Sequence, residues 1–208
     1  MADHEIETMR LGHLDIDFDP TVLRPRTWTE AQSRWVAELL VEAAAGPVLE
    51  LCTGVGHIGL LAVAESGRRL VAVDVSPRAI ELAGINAERA GMGDQIDLRT
   101  GELEDVLAEG ETFPVALADP PWVTSDGVAD LPEDPELAID GGEDGLDIAR
   151  RCLAVFETHL ESGGVGIIQL GTADQAAALG EWAHSRGHLV LGEVRTFDRG
   201  VLARVDRV

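Results

Sequence analysis

The chain has 208 residues, 45% of them hydrophobic, which suffices for one domain with its own core and no structural metal or disulfide. Its 38 acidic residues outnumber 16 basic ones, all arginine, and the net charge of −22 repels phosphates and disfavours nucleic acid as a partner. No apolar run reaches membrane length, and the acidic start Met1-Ala2-Asp3-His4-Glu5 is not a signal peptide, so a soluble, cytoplasmic protein is expected.

Residues 1–28 read as an N-terminal arm in which Leu14, Ile16 and Phe18 alternate with Asp15, Asp17 and Asp19, the pattern of a half-exposed strand. After the break at Arg24-Pro25-Arg26, residues 29–208 read as a single domain. Thr29 is positioned to N-cap a helix with Trp35, Val36, Leu39, Leu40 and Ala43 on its apolar stripe, ended by Gly46-Pro47. Residues 48–51 form a buried strand, followed by a Gly-rich turn and a helix through Ile58, Leu61 and Ala62. The next strand, 70–73, ends at Asp74, and Ser76 caps a helix with Pro77 in its first turn.

The alternation continues with strand 96–99, a short helix 103–108, strand 115–118, helix 144–160, strand 165–170 and helix 173–185. Strands near 188–197 and 200–205 are joined by Asp198-Arg199, too little chain for a crossover, and predict an antiparallel hairpin. The expected fold is therefore α/β: Rossmann-like and doubly wound, with a mostly parallel seven-stranded sheet and a C-terminal antiparallel hairpin. The span 122–143, rich in Pro, Gly and Asp, is expected to be structureless and to act as a lid or binding loop. Cys52 and Cys152 read as small buried hydrophobes, and the six scattered histidines show no metal-ligand spacing, so no metal is expected.

Two loops carry the chemistry. In Glu50-Leu51-Cys52-Thr53-Gly54-Val55-Gly56-His57-Ile58-Gly59, Gly54 and Gly56 let the backbone approach a ligand, and Gly59 lets the helix pack on the sheet. Asp74 ends the following strand, where a carboxylate can accept both hydroxyls of a ribose. Cys52 stands where a dinucleotide fingerprint would need its first glycine, and Glu50 suits a cationic ammonium rather than a pyrophosphate. S-adenosylmethionine fits this loop better than a nicotinamide dinucleotide. The second loop, Asp119-Pro120-Pro121-Trp122, follows the buried run Val115 to Ala118 and places a carboxylate, two rigid residues and an aromatic plane at a strand's carboxyl end. Such a corner suits chemistry on a flat, nitrogen-bearing group.

With these motifs the chain resembles class I S-adenosylmethionine-dependent methyltransferases, and within them the HemK/PrmC group of protein glutamine methyltransferases. The resemblance spans about residues 21 to 175 and includes Leu23-Arg24-Pro25-Arg26 with Thr29-Glu30, similar to the group's Ile-Pro-Arg-Pro-Glu-Thr-Glu. It is strongest in Ala138-Ile139-Asp140-Gly141-Gly142-Glu143-Asp144-Gly145-Leu146, almost unchanged from the group's segment. The resemblance implies that Glu50, Thr53, Gly54, Gly56 and Asp74 bind the cofactor, that Glu102 meets the adenine amino group, and that Asp119 to Trp122 hold the substrate nitrogen. Three departures accompany it. Asp-Pro-Pro-Trp replaces Asn-Pro-Pro-Tyr and resembles enzymes acting on adenine; the helical N-terminal domain of the release-factor enzymes is absent from this sequence; and Gln169 stands in place of a Glu.

The expected activity is N-methylation of an amide or amine, with a protein glutamine or a small molecule as acceptor. Asp119 and the Pro120 carbonyl would accept the two N–H bonds of the acceptor, Pro121 would stiffen the corner, and Trp122 would stack on the substrate plane. Two other readings are an adenine N6 methyltransferase of DNA or RNA, and a catalytically inactive cofactor-binding partner protein. Oligomeric state is left open.

Overall fold

A computed structural model describes residues 5–208. The arm forms an antiparallel hairpin, β1 (Glu7–Leu11) and β2 (Leu14–Phe18), paired with Leu11 opposite Leu14. Leu11, Leu14, Ile16 and Phe18 enter the same core as the helices that follow, so the hairpin is part of the main packing unit. The expected half-exposed alternation is only partly realised, because Asp17 and Asp19 are buried as well. Each has a cationic partner from the helix Pro77–Arg89: Arg89 lies 2.5 Å from Asp17 and Arg78 lies 2.8 Å from Asp19.

A 3₁₀ turn at Thr27–Thr29 leads into α1 (Glu30–Leu40). Thr29 does not cap this helix through its side chain; its hydroxyl donates back to the Arg26 carbonyl at 2.7 Å. The helix also ends earlier than the Gly46-Pro47 signal implied, because the Arg68 guanidinium takes the carbonyls of Leu40, Ala43 and Ala44 as the chain turns away. Then come β3 (Val48–Leu51), α2 (His57–Val63), β4 (Leu70–Asp74), α3 (Pro77–Arg89) and β5 (Ile96–Thr100). The Ser76 hydroxyl caps α3 by accepting from Ala79 N at 3.2 Å, with Pro77 at the first helical position, as the sequence predicts.

No helix forms at 103–108. That stretch is a series of turns between Gly101 and Gly110, too short to nucleate a helix, and Glu111 folds back to accept from Ala108 N. The chain continues through β6 (Phe113–Ala118), the short α4 (Glu136–Ile139), α5 (Asp147–His159), β7 (Leu160–Leu170), α6 (Ala173–Arg186), β8 (Leu189–Phe197) and β9 (Gly200–Arg207). A capping box between Thr172 and Gln175 starts α6, and Gly187, at φ +82°, ends it.

The main sheet has seven strands in the order β5-β4-β3-β6-β7-β9-β8. The first five pair in parallel, and β9 and β8 close the sheet as an antiparallel hairpin. The fold is the expected doubly wound α/β architecture. One core lies between the sheet and α1, α2, α3 and the hairpin, and the other between the sheet and α5 and α6. β3 and β6 are neighbours although β4 and β5 separate them in sequence, so chain order reverses between them. At such a switch point the loops leaving two adjacent strands diverge and open a crevice at their carboxyl ends.

Candidate active site

A cavity opens at that crevice. Its floor is the loop after β3, with Cys52, Thr53, Gly54 and His57; one wall is Asp74 to Ser76 after β4 and Glu102 and Leu103 after β5, and another is Asp119 and Pro121 after β6. The arm covers it with Thr21 to Arg26 and Thr29, and the 122–143 segment with Pro135, Leu137 and Ala138.

The backbone of the first loop is bent through the left-handed region at Cys52 (φ +57°) and Gly54 (φ +53°). Cys52 is a non-glycine residue in that region, which marks a loop held by its surroundings. It is half-buried and faces the cavity rather than being a buried hydrophobe, with its sulfur 4.0 Å from that of Cys152 on α5; both thiols are free. At Gly54 nothing lies within 4 Å of where a Cβ would stand, so a ligand can meet the main chain there. Gly59 is required for a different reason: a Cβ would fall 2.3 Å from a Glu50 oxygen.

Glu50 occupies an unexpected position. It is buried beneath the loop, where the Thr53 hydroxyl donates to Oε2 at 2.5 Å and Gly59 N donates to Oε1 at 2.8 Å, and it does not line the cavity. Burial outweighs those donors and, with the charges of Asp119 and Asp74, pushes its carboxyl up to about 8. Its role in the structure is to brace the loop against α2. Gly56 also stays off the cavity, with its missing Cβ 3.1 Å from Ala83.

Asp74 borders the cavity. Oδ2 accepts from Gly54 N at 2.8 Å and Oδ1 from Ser76 N at 2.9 Å, so the carboxylate is fixed between the two loops with lone pairs to spare. Burial raises its carboxyl above the ordinary range. Glu102 lines the cavity and is bound to Arg151 of α5 at 2.6 Å, a contact that was not legible in the sequence.

Among the described residues no hydrogen bond reaches the Asp119 carboxylate, and burial alone pushes it up to about 7. The peptide before it is clamped by Gln32 of α1, whose Nε2 donates to Ala118 O at 2.9 Å and Ile167 O at 3.3 Å, tying β6 to β7. Gln32 Oε1 is buried without a partner among the described residues. Pro121 lines the cavity, whereas Pro120 is buried and Trp122 lies behind the corner, its ring against Gly171, where a Cβ would come within 2.4 Å of Cε3.

The 122–143 segment is not structureless. It holds a 3₁₀ turn at Ser125–Asp130, α4, and a bridge between Val123 and Asp140. Asp140 Oδ1 accepts from Ser125 Oγ at 2.8 Å and Gly142 N at 2.9 Å, and Gly145 is so close to the Trp122 carbonyl that a Cβ would stand 2.4 Å from it. The Asp140 to Leu146 segment therefore backs and shapes the Asp119 corner. Across the cavity mouth, Arg26 of the arm binds Asp134 at 2.6 Å and joins the two covering segments.

A crevice of this kind on this sheet, with a glycine loop after the first main strand, an acid ending the second and Asp-Pro-Pro-Trp after the fourth, is the architecture of a Rossmann-like methyltransferase. A family profile described as a methyltransferase domain matches residues 48–127. The release factor glutamine methyltransferase of Clostridium acetobutylicum is 31% identical over 202 residues, covering 94% of this chain and 69% of its own. The ribosomal protein uL3 glutamine methyltransferase of Burkholderia pseudomallei is 36% identical over 148 residues, 65% of this chain and 48% of its own, so the match spans about half of that relative. Among solved structures, the hMettl16 catalytic domain in complex with a MAT2A 3′UTR hairpin shares the fold with TM-score 0.76 at 17% identity, over 93% of this chain and 74% of that one. The chain belongs to the HemK/PrmC family of methyltransferases.

Among the described residues no helix is long and apolar enough to cross a membrane, and no group of three or more metal-ligating side chains is present.

Proposed function

We propose that this chain transfers a methyl group from S-adenosylmethionine to the side-chain amide nitrogen of a protein glutamine. The observation that carries this reading is the Asp119 carboxylate, held at the switch point by the Gln32 clamp and without a hydrogen-bond donor among the described residues. The residues present fit the cofactor: Asp74 is fixed and has lone pairs for ribose hydroxyls, Gly54 leaves the main chain open, and His57 Nδ1 is buried without a partner among the described residues. Glutamine as acceptor is supported by the relatives and by the Asp140 to Leu146 segment that shapes the corner.

When bound, the cofactor would supply a methyl group on an electrophilic sulfonium. An amide nitrogen is a weak nucleophile because its lone pair is delocalised, so the protein must turn that pair toward the methyl. Asp119 accepts one N–H and the Pro120 carbonyl the other, which orients the nitrogen. The Asp119 charge stabilises the positive charge that develops there, and a carboxylate oxygen takes the proton the nitrogen loses. Pro121 and the Asp140 to Leu146 segment keep the corner rigid, and Trp122, packed against Gly171 behind it, supports the corner from outside the cavity and does not stack on the acceptor.

A second reading, methylation of an adenine amine, draws on the Asp-Pro-Pro-Trp form of the corner and runs against the net charge of −22. The test is to incubate the protein with methyl-labelled S-adenosylmethionine and, separately, a release factor, ribosomal protein uL3 and adenine-containing oligonucleotides. Label in a protein supports the proposal, and label in nucleic acid alone overturns it.

A further inference from the structure

His57 is the first residue of α2 and lines the cavity beside Thr29. It follows Gly56 in the glycine loop, where the sequence alone assigns it no role, and the hydrogen bonds around it fix which of its nitrogens carries the proton. Thr29 has one hydroxyl proton and donates it to the Arg26 carbonyl at 2.7 Å. Its oxygen can then only accept from His57 Nε2, 3.1 Å away. Nε2 therefore bears the ring hydrogen and Nδ1 is an acceptor. Burial agrees, since it lowers the imidazole to about 4 and keeps the ring neutral near pH 7. Nδ1 is buried and has no hydrogen-bond partner among the described residues. A buried lone pair with no donor is unfavourable, and a ligand that brings a donor relieves it.

The strand order indicates which end of the ligand that is. Glu102 follows β5, Asp74 ends β4, Cys52 and Thr53 follow β3, and Asp119 follows β6. A cofactor with its adenine at Glu102, its ribose on Asp74 and its methyl at Asp119 leaves the wall formed by His57 and Thr29 for its amino-acid end. That end carries a carboxylate, which only accepts, and an ammonium, which only donates, so only the ammonium can pair with Nδ1. Glu50, the acid expected to meet it, has each oxygen already engaged by Thr53 or Gly59.

We infer that His57 Nδ1 accepts a hydrogen bond from the α-ammonium group of S-adenosylmethionine, a role that rests on the cofactor reading given above. The Arg26–Thr29–His57 chain then does two things: it fixes the tautomer that binds the ammonium, and it ties the cofactor loop to the arm that closes over the cavity.

Two nucleosides separate this role from a structural one. S-adenosylhomocysteine carries the amino-acid end, whereas 5′-methylthioadenosine lacks it, and calorimetry of each gives a ratio of affinities. In His57→Gln, the amide nitrogen reproduces Nε2 and keeps the Thr29 bond, but the Nδ1 acceptor is gone. The ratio is expected to fall about tenfold or more, with 5′-methylthioadenosine bound within twofold of wild type. In His57→Asn, the amide oxygen reproduces Nδ1, and the ratio should stay within threefold of wild type. An unchanged ratio in His57→Gln, or equal losses for both nucleosides, overturns the inference. Failure of the wild-type protein to bind either nucleoside overturns the cofactor reading itself.

Discussion

The two sides of the switch point are built differently. On the cofactor side, after β3 and β4, the acids are already bonded to the protein: Glu50 takes Thr53 and Gly59, and Asp74 takes Gly54 and Ser76. On the acceptor side, after β6, Asp119 is held through its backbone while its carboxylate has no donor among the described residues. One side is preorganised to receive a ligand of fixed shape, and the other keeps a half-buried carboxylate facing the cavity for a group that arrives with the acceptor. This division is what a transferase requires, because its donor is constant and its acceptor must be oriented at the moment of reaction.

The most severe break in this comparison is Asp119→Ala. Methyl transfer should fall by roughly 100-fold or more while S-adenosylhomocysteine binds within threefold of wild type, as read by single-turnover kinetics and calorimetry. Asp74→Ala strikes the other side. Cofactor affinity should fall by about tenfold or more, since ribose acceptors and the Gly54–Ser76 tether disappear together, and saturating cofactor should restore much of the rate.

The pH profile sharpens the contrast. Asp119 must be charged to stabilise the positive charge developing on nitrogen and to take its proton, and its carboxyl is pushed up to about 7, so the rate should climb with pH through that value and fall about tenfold per unit well below it. Asp119→Asn should flatten this limb of the profile.

A smaller effect tests the bracing acid. Glu50 has a folded-state value raised to about 8 from an ordinary 4.5, so its stabilising contribution is complete below the unfolded value and is lost as pH rises through the folded one. Glu50→Gln, which can still accept from Gly59 N, should therefore match wild type in urea unfolding at pH 5. It should exceed wild type by about 1 kcal/mol or more at pH 9.

Much of this was legible in the sequence, and for identifiable reasons. The alternation of apolar runs with amphipathic stretches marked β3 to β9. Of these, β3, β4, β6 and the second half of β7 are buried enough to be clean apolar segments, whereas half-buried β5 and largely exposed β8 were placed by their position in the alternation and by the short Asp198-Arg199 link. Asp74 and Asp119 stood at strand ends, where period and motif agree. What was not legible depends on long-range partners. Asp17 and Asp19 look like the outer face of a strand until Arg89 and Arg78 reach them from α3. Glu50 reads as a ligand for a cation, and only packing against Gly59 shows that it turns inward. Gln32 belongs to no motif and His57 has no assigned role in the glycine loop; the signal for each is a polar side chain beside an apolar stripe or among loop glycines, which becomes informative only once its buried neighbours are known. Residues 122–143 looked structureless because their order comes from bridges such as Val123 to Asp140 and not from periodicity.

The most direct measurement is the chemical identity of the product. A release factor methylated by this protein, digested and sequenced by tandem mass spectrometry, should carry the new methyl group on the side-chain nitrogen of a glutamine, and the modified peptide should vanish with Asp119→Ala. A methyl group on any atom other than an amide nitrogen, or an undiminished yield from Asp119→Ala, would contradict the account.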